Sequence, residues 1–208
     1  MNEFISDLFE AFTKVNQRYY FAEVYRDIDN FHQNQEAVKQ STENSFSAEL
    51  FRHWRNIMES YNRVTAYHNL ALDFDVRKDW YDEVIIDRTP NSFRPDLVLH
   101  LSQLDWDPNF QKVYVEVKTN PEPYIKDDIQ KLANSIYRLQ FQNGVFISVN
   151  SDFSELKTLI RNIVNSETRR LDRYQIQIEW NRIFLFHSII INGTKSISKP
   201  LSFSDIIT

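Results

Sequence analysis

The chain has 208 residues, 42% of them hydrophobic and 25% charged, enough for a substantial core and for one large domain or one domain with an appendage. It has no cysteine, so disulfides, thiolate metal sites and a cysteine nucleophile are excluded, and a reducing cytoplasm is the expected setting. The net charge of −5 weighs against broad nucleic-acid binding, but residues 1–49 hold nine acids and four bases and account for all of it. Any DNA-binding face is therefore a local patch on a balanced remainder.

The first residues, Met1-Asn2-Glu3-Phe4, lack the basic region of a signal peptide, and no apolar run approaches the length of a membrane span. Ile5, Leu8, Phe9, Phe12 and Val15 recur at helical spacing and predict an amphipathic first helix. Residues 27–45 are polar and read as a loop or a short weak helix. A strong helix is expected from about Phe46, with Phe46, Leu50, Trp54 and Ile57 on one face and Ser45 or Ser47 as its cap. Leu72, Phe74 and Val76 alternate with polar residues as a half-buried strand, and Glu83 to Asp87 is its candidate hairpin partner.

The next stretch organises the chain. Arg94-Pro95-Asp96 leads into Leu97-Val98-Leu99, a turn-rich loop follows, and Val113-Tyr114-Val115-Glu116-Val117-Lys118 closes it. Strand periodicity of two puts Tyr114, Glu116 and Lys118 on one face and the three valines on the other. The two runs are expected to pair as an antiparallel hairpin, bringing Asp96 beside Glu116 and Lys118. Two carboxylates beside a lysine suit a hard divalent cation and an activated water. The plainer alternative is a solvated Glu/Lys ladder.

A helix from about Tyr124 to Asn143 follows, burying Ile125, Ile129, Leu132, Ile136 and Leu139, with Gly144 as its C′ residue. Val145 to Val149 is apolar on both faces, as expected of a central strand reached by a helical crossover. Ser151-Asp152 begins a further helix, Tyr174 to Ile178 alternates like a strand, and Ile183 to Ile191 is a long strand. Asn192-Gly193 is a type I′ turn signal leading to a short strand near Ser196. The order predicts one α/β domain over 1–208, with an N-terminal helical segment (1–44), a core (45–168) and a C-terminal β elaboration (169–208).

Pro95-Asp96, a loop, and then Glu116-Val117-Lys118 resembles the signature of the PD-(D/E)XK nuclease superfamily, the restriction-endonuclease-like fold. The resemblance implies a central mixed β-sheet flanked by helices, residues 45–168 forming the nuclease-like core. It implies Mg²⁺ or Mn²⁺ on Asp96, Glu116 and the Val117 carbonyl, with Lys118 orienting or deprotonating the attacking water. It also implies an acid from the preceding helix, assigned to Glu49, which otherwise reads as an exposed residue paired with Arg52 or His53. From the following helix it implies Lys131, with Gln130 competing for the role. His100 lies on the Asp96 face, either bordering the site or as a satisfied buried histidine, and Arg161, Arg169, Arg170 and Arg173 read as a solvated face. The expected function is hydrolysis of phosphodiester bonds in nucleic acid, DNA ahead of RNA, in the cytoplasm and without a membrane. A homodimer is one admissible assembly. The alternative is a catalytically inactive nuclease-fold module that binds nucleic acid or a protein partner.

Overall fold

The computed structural model of the chain describes residues 1–20, 35–74, 95–101, 108–119 and 125–208. These form α1 (Glu3–Lys14), α2 (Gln35–Met58), β1 (Leu70–Phe74), β2 (Leu97–Leu101), β3 (Val113–Thr119) and α3 (Lys126–Tyr137). They continue with β4 (Asn143–Val149), α4 (Phe153–Asp172), β5 (Ile183–Ile191), β6 (Thr194–Ile197), β7 (Leu201–Ser202) and α5 (Phe203–Ile207). The fold is mixed α/β, with a seven-stranded mixed sheet in the order β1-β2-β3-β4-β5-β6 and β7 paired with β5. β1, β2 and β3 are antiparallel neighbours, whereas β3, β4 and β5 run parallel through the α3 and α4 crossovers. Among the described residues no helix is long and apolar enough to cross a membrane.

Alternation along the strands builds two cores. Leu97, Leu99, Val113, Val115, Val117, Val145 and Ile147 face α1 and α2, meeting Leu8, Phe12, Phe46, Leu50 and Trp54. Val98, Tyr114, Phe146 and Leu185 face the other way, onto Ile129, Leu132, Ile136, Ile160 and Phe203. Because helices cover both sides, β4 is apolar at nearly every position and fully buried. The expected hairpin forms, with Leu97, Val98 and Leu99 opposite Val115, Tyr114 and Val113. Asp152 caps α4 by accepting from the Ser154 and Glu155 amides at 2.9 and 2.8 Å. Asn192 and Gly193 both have positive φ, 50° and 76°, as a type I′ turn requires, and β6 follows.

Several expectations are corrected. α2 begins at Gln35 and runs through Ser45 and Ser47, neither of which caps it. Phe46, Leu50 and Trp54 bury so much of one face that tertiary packing carries the helix through the polar stretch before it. α3 stops at Tyr137, and the left-handed residue after it is Gln140 (φ 56°) rather than Gly144. Gly144 belongs to β4, where an added Cβ would lie 3.1 Å from Leu132 Cδ2. The glycine is there for close helix–sheet approach. Tyr174 to Ile178 makes no strand, because Gln175 takes φ 58° and β5 already has partners on both edges. The C-terminal elaboration carries, beside its strands, the helix α5, closed by a Ser202/Asp205 capping box. The candidate strand Glu83 to Asp87, along with Arg94, His32 and Tyr124, lies outside the described residues.

Candidate active site

Asp96 stands immediately before β2, opposite β3, where the hairpin register has just begun. Its backbone amide donates to the Val115 carbonyl at 3.1 Å, and its Oδ2 accepts the Val117 amide at 2.6 Å. The carboxylate thus replaces a ladder partner and is fixed beside Glu116. Glu116 is buried, 2% exposed, and its Oε1 accepts from the Tyr114 hydroxyl at 3.0 Å, two residues back on the same strand face. Lys118 follows two positions on, at the carboxyl end of β3, where ligands gather in open α/β sheets.

Two helices close on these strand residues. From α3, Lys131 Nζ lies 3.4 Å from Glu116 Oε2 and 3.0 Å from Asp128 Oδ1. Asp128 Oδ2 lies 3.9 Å from Lys118 Nζ, and from α2 Glu43 Oε2 lies 3.4 Å from the same ammonium. The result is an alternating chain, Glu43–Lys118–Asp128–Lys131–Glu116, with Asp96 adjoining it at Val117. Glu116 and Asp128 are its most buried members and the two lysines are only partly exposed.

Burial sets the electrostatics. It pushes the Asp96 carboxyl up to about 6, against the opposing pull of the Val117 amide and the Lys118 charge. Burial likewise raises Glu116 well above the usual carboxylate range, and the neighbouring Asp96 charge adds to it. Burial also works against both ammonium groups, yet both are raised. For Lys118 the nearby Asp128 and Glu43 carboxylates outweigh it, and for Lys131 Glu116 and Asp128 do. Two adjacent carboxylates whose charged forms are disfavoured by burial fit a divalent cation such as Mg²⁺, which takes oxygen ligands and keeps several of its waters. Among the described residues no three His, Cys, Asp or Glu side chains form a ready-made metal cage, so such a cation would rest on few protein ligands.

The structure brings Asp96, Glu116, Val117, Lys118 and Lys131 together. It does not bring Glu49, whose carboxylate binds Arg52 at 2.7 Å and His53 at 3.2 Å along α2. The acid that α2 supplies to the cluster is Glu43. The signal was available: Glu43 precedes Leu50 by seven residues, two helical turns, so it continues the buried stripe, whereas Glu49 sits at the stripe's edge. A helix beginning at Phe46 leaves Glu43 outside it, whereas α2 begins at Gln35 and includes it. Asp128 precedes the core residue Leu132 by one turn, which sets it on the buried face of α3. Gln130 turns away, donating to Glu167 on α4 at 2.7 Å, which leaves the α3 position to Lys131. His100 is a satisfied buried histidine, its Nε2 lying 2.7 Å from Asp73 Oδ2. Arg161 and Arg170 serve Ile206 and Glu167 within the fold.

The fold and cluster define a class: a mixed α/β sheet protein with a buried acid–lysine site where the parallel strands end. No protein-family model, curated protein or solved structure matches the chain.

Proposed function

We propose that the chain is a nuclease of the PD-(D/E)XK type, with a restriction-endonuclease-like core. It uses Mg²⁺ or Mn²⁺ to hydrolyse phosphodiester bonds in nucleic acid, with DNA as the first substrate to test. The observation that carries the reading is the convergence of Asp96, Glu116, Lys118 and Lys131 at the end of one antiparallel pair, with both carboxylates raised by burial. The antiparallel β1-β2-β3 run feeding a parallel β3-β4-β5 crossover also supports it. The absence of cysteine suits a cytoplasmic setting.

A divalent cation held by Asp96, Glu116 and the Val117 carbonyl would supply an acidified water and counter-charge for the developing phosphoryl oxygens. The chain's own residues do the rest. The Val117 amide locks the Asp96 carboxylate, and Tyr114 orients Glu116 through its other oxygen. Lys118, held by Glu43 and Asp128, presents an ammonium that orients the attacking water or meets the charge building on phosphorus. Lys131 balances Glu116 between turnovers.

A second reading is favoured by one feature: Glu43, Asp128 and Glu116 each already face a lysine, so the cluster is balanced as a structural ion-pair network. A catalytically inactive module that binds nucleic acid or protein would need no more. Incubating the protein with plasmid and with single-stranded DNA, in Mg²⁺, Mn²⁺ or EDTA, separates the two. Cleavage that needs the cation and disappears in Glu116→Gln supports the nuclease. DNA binding without cleavage in either metal supports the module.

A further inference from the structure

Asp128 is the middle link of the ion-pair chain, and the resemblance assigns it no part. We propose that Asp128 is a positioning residue that holds both site lysines, and that its grip on Lys131 lets a divalent cation displace that ammonium from Glu116. The proposal rests on the nuclease reading above.

Each oxygen of Asp128 faces a different ammonium, Oδ1 at 3.0 Å from Lys131 and Oδ2 at 3.9 Å from Lys118. Lys131 sits closer to Asp128 than to Glu116, which is 3.4 Å away. The Asp128–Lys131 pair spans three residues of one helix, so it persists whatever Glu116 does. α3 itself is pinned one turn further on, where Leu132 packs tightly over Gly144. When Glu116 turns to a cation, Lys131 therefore has an anionic partner already in contact. Without Asp128, Glu116 is the carboxylate left in contact with that ammonium among the described residues, and lysine and metal compete for it. The same carboxylate holds Lys118 at the reaction end of the strand, opposite Glu43. The plainer alternative is that Asp128 only complements the positive end of α3, or adds one more anion to the site.

A double-mutant cycle on Mn²⁺ affinity, read by titration calorimetry without any cleavage step, separates these. The proteins are wild type, Asp128→Asn, Lys131→Gln and the double variant, each checked by thermal melting. Asp128→Asn is expected to weaken Mn²⁺ binding by about tenfold, and Lys131→Gln to tighten it, within the range of coupling seen in charge networks. In the Lys131→Gln background, Asp128→Asn should change affinity by less than about threefold, because its effect runs through the lysine. Equal weakening in both backgrounds overturns the proposal and leaves the nuclease reading intact. Should Asp128→Asn not fold, Asp128→Ser takes its place in the same cycle: weakening that disappears in the Lys131→Gln background supports the proposal, and equal loss in both Lys131 backgrounds overturns it. Wild type that takes up no Mn²⁺ overturns the reading and the proposal together.

Discussion

Asp96 carries the plainest consequence of the site's electrostatics. Its carboxyl is raised from 3.8 to about 6, chiefly by burial, so between those values the folded chain keeps a proton that the unfolded chain has released. Stability therefore falls as pH rises from about 4 to 6, and the penalty is fully present above that. A shift of about two units corresponds to at most about 3 kcal/mol, and Glu116, also raised, acts in the same direction. Asp96→Asn is expected to raise the cation-free Tm at pH 7.5 and to flatten this limb of the stability profile, while abolishing cleavage. Melting curves at pH 4.5 and 7.5 check it; an unchanged pH dependence in the variant would show that Asp96 is not the source. Lys118→Ala is expected to cripple turnover and leave Mn²⁺ affinity equal or higher, since a competing positive charge is gone. A loss of cation binding in that variant would contradict the role given to the lysine.

The elements that hold the site are tested at the seam between α3 and β4. Leu132 is fully buried, and Leu132→Ala should cost roughly 2–5 kcal/mol in denaturant unfolding, as core leucine truncations do. A cost below about half a kcal/mol would mean that this face of α3 is not in the core. Gly144→Ala puts a methyl 3.1 Å from Leu132 Cδ2, and an overpacked core site typically loses about 1–3 kcal/mol. Combined with Leu132→Ala the glycine change should cost clearly less, because the opposing methyl is gone. Where side-chain periodicity and burial coincide, as in β3, β4 and β5, the elements were legible in the sequence to within a residue or two. Helix ends were not: α2 gains its first turns through packing by residues further along, and α3 stops short because Phe141 and Asn143 are needed elsewhere. Asp96, Glu116 and Lys118 were legible as a short signature, and Lys131 only as one of two candidates, beside Gln130, on the helix that follows. Glu43 and Asp128 belong to the site through helix faces packed across the sheet, and a linear motif does not express that. Tyr174 to Ile178 shows the converse, a strand pattern left without a strand because β5 has no free edge.

For the whole molecule, the excess of acid is confined to residues 1–49, and under the proposed function it would set the terms on which DNA is met. Non-specific affinity at physiological salt should be at or below the weak end of the usual range, a Kd near 10⁻⁴ M, and should fall further as salt rises. Fluorescence anisotropy with a labelled duplex measures it; micromolar binding that ignores salt would contradict a small local patch. Metal and DNA should also help each other, since the cation offsets the carboxylates that repel phosphate. The most direct measurement is therefore a calorimetric titration of Mg²⁺ and of Mn²⁺ into the wild-type protein and into Asp96→Asn, with and without a DNA oligonucleotide. Wild type should bind the cation at millimolar concentration or below, more tightly with DNA present, and Asp96→Asn should not. No binding of either ion by wild type, even with DNA present, would contradict the account.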